Sequence, residues 1–202
     1  MAEELAERTK LRGRIRVIAG AAPEGFAEPR DAVGRRRTLS VPEGAVVVDG
    51  AGLSAGELGE VLAALGSEVP DAPVVVLGEP EASESAKTTC LVAPDPADRA
   101  AALAAASALV APRVTPAYGW RVLEALALGV PIVAAASAVH HELVGDGGSV
   151  VGGGARGLGA SVASLLASTV DHTRAATISA DRGRAFSWRE AGDRAWQLHA
   201  DL

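Results

Sequence analysis

The chain of 202 residues has a single cysteine, Cys90. It can therefore form no disulfide within itself and no cysteine-based zinc cluster. Cys90 sits in the apolar run Cys90-Leu91-Val92 and reads as an inert core thiol. Aromatic residues are equally scarce, with three tryptophans, two phenylalanines and one tyrosine. A core must therefore be built from small aliphatic side chains, among them 43 alanines. Asparagine is absent and arginine outnumbers lysine 17 to 2, which we read as a genome composition bias rather than chemistry. No long apolar run is present. The best candidate, Leu123 to Val139, is broken by Glu124, Gly129 and Pro131, which argues against a membrane span. The N-terminal MAEELAERTKLRGR has no apolar h-region, so a secretory signal is not expected. A soluble, reducing and cytoplasmic setting is the expectation. The net charge is −6 and no segment shows a strong basic excess, which speaks against nucleic acid as a partner. Arg35, Arg36 and Arg37 are the densest basic run and read as a solvated loop.

What the chain does have is alternation. Short β-branched runs occur at Ile15–Ile18, Ala45–Val48, Val74–Leu77, Thr88–Val92, Leu109–Val110, Ile132–Ala134 and Ser149–Val151. They are apolar without strict alternation, as strands buried on both faces should be. Helices with good end signals lie between them. Ser54-Ala55-Gly56-Glu57 is a capping box, followed by Leu58, Val61, Leu62 and Leu65 on one face. Asp95-Pro96 opens a second helix, and Gly129 with Pro131 closes the one that contains Glu124. Ser187-Trp188-Arg189-Glu190 is another capping box and opens a terminal helix. This pattern predicts an α/β fold, a single doubly wound, Rossmann-like parallel sheet. Residues 1–13 read as a leading helix, 14–154 as the core and 155–202 as a helical C-terminal extension.

Gly152, Gly154 and Gly157 formally match G-x-G-x-x-G, but no strand–helix–strand unit remains downstream, so a turn is the better reading and no dinucleotide cofactor is expected. His140-His141-Glu142 lacks an i, i+4 partner and reads as a surface or capping element, so no metal site is expected. The segment from Tyr118 to Ala134 differs from these. It is a helix entered through Gly119 and left through Gly129-Val130-Pro131 into a strand. Its N-terminus is suited to an anion, because free N–H groups and the helix dipole both point there. Glu124 lies one turn in, among apolar residues. It is costly there unless it accepts hydrogen bonds, for instance from sugar hydroxyls. A partly exposed helix glutamate fits the same sequence, and both readings stay open.

This segment resembles the donor-site helix of group 1 (family-four-type) glycosyltransferases, whose pattern is E-G-F-G-L-x-x-L-E-A-x-A-x-G-x-P-V-V-A. The resemblance continues in order along the chain. Ile15 to Phe26 is similar to the opening of that family's second domain. Ala45-Val46-Val47-Val48-Asp49-Gly50 resembles its first strand and glycine, and Val74 to Glu79 its second strand. His141-Glu142-Leu143-Val144 resembles the P-E-L-V after the donor helix, and Phe186-Ser187-Trp188 the F-S-W before the last helix. The resemblance implies the C-terminal, sugar-nucleotide-binding domain of the two-domain GT-B fold. An N-terminal acceptor domain would then be a missing or separate partner, and a nucleotide-sugar the donor substrate of a hexosyl transfer.

The resemblance also assigns residues. Glu124 stands at the second glutamate of the family's pair, the one that binds the nucleotide ribose. Gly50, Tyr118, Gly119, Trp120 and Arg121 would complete the substrate-binding set. Several positions depart from the pattern. Pro116 stands at the first glutamate, and Ala51 and Gly56 replace the arginine and lysine that neutralise the diphosphate. Arg113 and Arg121 are candidate phosphate partners, or else surface arginines. The leading expectation is thus the donor half of a glycosyltransferase, inactive without its acceptor domain. A non-catalytic pseudo-glycosyltransferase module is the alternative, and an unrelated nucleotide-binding domain ranks below both. Among Trp120, Trp188 and Trp196 we expect Trp120 or Trp196 to be exposed, on a face through which the chain self-associates weakly.

Overall fold

A computed structural model describes residues 15–78, 88–92, 94–114 and 118–200. The expected leading helix over residues 1–13 and the departure at Pro116 lie outside the described residues. The elements are α1 (Ala32–Thr38), β1 (Val46–Asp49), α2 (Ala55–Glu68), β2 (Val74–Leu77), β3 (Thr88–Leu91), α3 (Pro96–Ala104) and β4 (Ala108–Ala111). They continue as α4 (Trp120–Leu128), β5 (Ile132–Ala135), α5 (Ala138–Val144), β6 (Gly148–Val151), α6 (Gly154–Leu166), α7 (Thr169–Gly183) and α8 (Trp188–Ala200).

The six strands form one parallel sheet in the order β3-β2-β1-β4-β5-β6. The chain builds outward from β1 to β3, returns through α3, and builds outward again from β4. The direction of winding therefore reverses between β1 and β4, and in open α/β sheets ligands bind at the C-terminal edge of such a switch point.

Both faces of the sheet are buried, which is why its strands lack polar alternation. Val46 and Val48 pack under α2 and α6, with Leu58, Leu65, Leu158 and Val162. Val47 faces the other way, toward Leu103, Leu123, Leu126 and Leu143 of α3, α4 and α5. The capping signals act as expected. Ser54 Oγ accepts from Glu57 N while the Glu57 carboxylate accepts from Ser54 N at 2.8 Å. Asp95 caps α3, and Ser187 Oγ accepts from Glu190 N at the start of α8.

Two expectations are corrected. Ile15–Ile18 takes no place in the sheet; β3 and β6 occupy the two edges. Arg35–Arg37 is not a solvated loop but part of α1. Arg36 is buried there, donating to Glu28 at 3.0 Å and to the Ala101 carbonyl at 3.4 Å, and Arg35 bonds Asp98 at 2.7 Å. Cys90 is half-buried on the edge strand β3 and packs beside the α2–α6 side of the core. Gly152 and Gly153 make the turn from edge strand β6 into α6, and Gly154 to Gly157 form the first turn of that helix rather than a loop.

The C-terminal extension braces the elements that carry the site. Ser179 Oγ on α7 donates to the Val130 carbonyl at 2.7 Å, just beyond α4. Arg182 donates to the Leu143 and Glu142 carbonyls at 3.0 and 2.6 Å, in the last turn of α5, and lies over the Phe186 ring. Gly183 sits so close to α4 that a Cβ there would collide with the Leu126 carbonyl. Gly183→Ala is therefore expected to lower stability by about 1–3 kcal/mol, the usual cost of forcing extra volume into a packed contact. Urea unfolding checks this; an unchanged midpoint would mean that α7 can slide off α4 freely.

Candidate functional site

A cavity of about 350 Å³ opens at the C-terminal edge of the sheet, across the switch point. Its walls come from three adjacent strand ends. β1 contributes Asp49 and Ala51, β4 contributes Ala111 and Arg113, and the first turn of α5 after β5 contributes His140. α4 points its N-terminus into this space, with Tyr118, Gly119, Trp120, Arg121 and Glu124 on the wall. Five of the six substrate-binding residues expected from the sequence thus meet in one place, as does Arg113. Gly50 stands behind the wall, where a Cβ would lie 2.7 Å from Val76 Cγ1; its lack of a side chain serves the packing of β1 on β2.

The entry to α4 has no side-chain cap. Gly119 adopts a left-handed conformation, φ 79°, which turns the chain sharply into the helix and favours glycine. A side chain there would strike Leu143. Intrahelical bonding begins with Val122 N and Leu123 N on the Gly119 carbonyl, so the N–H groups of Trp120 and Arg121 remain available at the mouth.

Glu124 is only 2% exposed, which corrects the reading of a partly exposed helix glutamate. Its two oxygens are held by guanidinium groups. Arg99 of α3 donates to Oε1 from Nη2 at 2.7 Å and from Nε at 3.2 Å, and Arg121 Nη1 donates to Oε2 at 2.9 Å. Arg99 is fixed in turn by the Pro94 carbonyl at 2.8 Å. The arrangement compensates a buried carboxylate, which would otherwise be very costly. Arg121 Nε is buried with no hydrogen-bond partner, and among the described residues no other buried side-chain nitrogen or oxygen is in that position.

Arg113 is exposed, and its guanidinium lies against the backbone of Gly52 in the β1–α2 loop. It has no ion pair or hydrogen bond among the described residues. Burial pushes the Asp49 carboxyl above its ordinary 3.8, opposed by the Ala51 N–H and by the charges of Arg121 and Arg113. Three arginines face two carboxylates here, so the cavity runs against the overall negative charge of the chain.

His140 corrects a second expectation. His141 and Glu142 are exposed, but His140 is 1% exposed and belongs to the cavity wall. Its Nδ1 bonds the Ala135 carbonyl at 2.7 Å. Burial, with a smaller contribution from His141, holds its pKa below the usual 6.5. At the rim the Tyr118 hydroxyl accepts from Gly20 N, and the Tyr118 and Trp120 rings lie 4.6 Å apart. Trp120 stacks on Trp188 at 6.4 Å, and Trp188 Nε1 donates to the Ala22 carbonyl. Trp120 and Trp196 are 49% and 73% exposed, as expected.

Sequence reasoning missed Asp49, Arg99 and His140 as wall residues. A signal existed for Arg99, the lone basic residue between Lys87 and Arg113, on a helix otherwise rich in alanine. Among the described residues no group of three or more His, Cys, Asp or Glu side chains could hold a metal ion, and no helix is long and apolar enough to cross a membrane.

Known structures share this architecture. The sucrose-phosphate synthase of Thermosynechococcus elongatus superimposes with a TM-score of 0.78 at 22% identity, covering 100% of this chain and 56% of that one. HepE of Anabaena, solved in complex with UDP and glucose, gives 0.74 at 20% identity, covering 91% of this chain and 55% of its own. The C-terminal domain of the group 1 family protein LpcC from Francisella tularensis gives 0.65 at 14% identity, covering 82% of this chain and 97% of that domain. The chain thus spans little more than half the length of the first two. No curated protein matches the sequence. The family model described as glycosyl transferases group 1 matches residues 54–168, more than half of the chain, from the cap of α2 through α6. With the fold and the family model in agreement, the chain belongs to the group 1 glycosyl transferases.

Proposed function

We propose that this chain is the nucleotide-sugar-binding half of a glycosyltransferase that transfers a hexosyl group. The observation that carries the reading is the cavity at the switch point, entered by the uncapped N-terminus of α4 and flanked by Arg113 and Arg121. Free N–H groups, a helix dipole and two guanidinium groups together suit a diphosphate. Arg113 lies over the β1–α2 loop, beside Ala51, where the family resemblance places an arginine. It offers the charge that Ala51 lacks, and Arg121 offers a second.

In this role the chain's residues bind and neutralise. Arg113 and the α4 N–H groups hold the diphosphate, and the charge that develops on it as the glycosidic bond breaks is stabilised by the same groups. Glu124 keeps Arg121 and Arg99 in place. The acceptor, and any base that deprotonates it, would come from a second domain, in line with this chain's spanning little more than half the length of two structures that share the fold.

A second reading has its own support. With both Glu124 oxygens already held, a ribose finds no free carboxylate there, which suits a pseudo-enzyme that kept the fold as a scaffold. Calorimetric titration with UDP, UDP-glucose and GDP-mannose separates the two. Binding that competes with UDP is expected for the donor-site reading, with no sugar transfer by the chain alone. Absence of binding to all three favours the scaffold, and turnover by the isolated chain would place the chemistry on other residues.

A further inference from the structure

We propose that His140 is the hydroxyl acceptor of the cavity: its Nε2 takes a hydrogen bond from an O–H group of the bound ligand, the task that Glu124 no longer performs. This rests on the reading of the cavity as a nucleotide-sugar site.

Geometry fixes the form of the ring. A carbonyl oxygen can only accept, so the 2.7 Å contact to Ala135 requires that Nδ1 carry the hydrogen. In the neutral imidazole Nε2 is then the acceptor. The ring is held by this bond, and the backbone that carries it by Ser137 Oγ, which accepts from the His140 main-chain N–H at 3.0 Å. Burial in the cavity wall keeps it neutral.

Nε2 has no hydrogen-bond partner among the described residues. It is also not sealed off, since Arg121 Nε is the one side-chain nitrogen or oxygen among them that is both buried and unpartnered. The residue is 1% exposed and lines the cavity, so the opening of Nε2 is onto the cavity. An unpaired lone pair in such a place repels phosphate oxygens and favours a donor. Two other acceptors of the wall are carboxylates, and the one in the family pattern is already engaged. Glu124 is held by Arg99 and Arg121, and Asp49 accepts from Ala51 N at the end of β1. His140 follows β5, which lies two strands from β1 across β4. It therefore faces a different part of the ligand from the one beside Gly52, which follows β1. Both the ribose and the hexose of a nucleotide-sugar carry such hydroxyls.

Two substitutions separate acceptor from anchor. His140→Asn keeps an amide N–H near the Nδ1 position for Ala135 and removes the acceptor. His140→Gln places an amide oxygen near the Nε2 position. Titrated with UDP-glucose, the Asn variant is expected to bind about three- to tenfold more weakly than the parent, the range of one neutral hydrogen bond. The Gln variant should stay within about twofold. An equal loss with UDP assigns the hydroxyl to the ribose, and a loss confined to UDP-glucose assigns it to the hexose; either supports the proposal. In the parent, the ¹⁵N resonance of His140 Nε2 is expected to move on addition of UDP-glucose, a measurement that needs no variant to fold. An unmoved resonance, unchanged affinity of the Asn variant, or equal weakening by both variants overturns the proposal and leaves the cavity reading intact. A parent that binds neither UDP nor UDP-glucose overturns both.

Discussion

Replacing Glu124 by alanine is expected to destabilise the protein by about 3 kcal/mol, the scale on which removing one partner of a buried ion pair acts. For a chain of this length that corresponds to a fall in melting temperature of roughly 10 °C. The sequence alone suggests the opposite order, a loss of ligand affinity with little loss of stability. The structure reverses it because the carboxylate is the shared counter-charge of Arg99 and Arg121, whose side chains are 14% and 21% exposed. Without it two guanidinium groups face each other across α3 and α4 with no compensation. Glu124→Gln retains hydrogen-bond acceptance on one side and should fall between the parent and Glu124→Ala. Thermal melts in low and high salt test this. Equal melting temperatures for all three proteins would show that the triad contributes nothing to the fold.

Arg113→Ala is expected to do the reverse. Its guanidinium has no ion pair or hydrogen bond among the described residues, so its removal should change stability by less than about 0.5 kcal/mol. Affinity for UDP should fall by roughly tenfold or more, since a hydrogen bond to a charged group contributes about 1.5–3 kcal/mol. Part of that affinity is screened by salt, so the difference between parent and variant should narrow as ionic strength rises. Unaltered affinity would mean that Arg113 is a solvated surface residue and that the diphosphate relies on Arg121 and the helix end alone.

The two variants also mark where the sequence was legible. Strands such as Val74–Leu77 announce themselves because a continuous β-branched run between turn residues has few other uses. Helix starts at Ser54 and Asp95 are equally plain, because the capping side chain and its partner lie within one turn. The position of the segment from Tyr118 to Ala134 at the sheet edge follows from strand–helix alternation together with the family resemblance. What could not be read is contact across the fold. Arg99 and Glu124 are 25 residues apart, and only the packing of α3 beside α4 brings them together. His140 reads as a surface histidine because its burial depends on how tightly α5 folds back after β5. Ile15–Ile18 reads as a strand because its β-branched composition is that of one, while the pairing partner that makes a strand is set elsewhere in the fold.

The tryptophan pair at the rim gives the molecule an optical property. Trp120 and Trp188 stack at 6.4 Å with their planes 29° apart, while the third indole, Trp196, is paired edge-on with His199 on the last helix. With so few aromatics, most of the near-ultraviolet absorption and emission comes from these three rings. Two of them form a coupled chromophore, one member of which lines the cavity and the other of which ties α8 to the Ala22 carbonyl. Any ligand that presses on Trp120 changes the coupling as well as the polarity around it, so the rim reports occupancy of the cavity through circular dichroism and fluorescence, with no label attached.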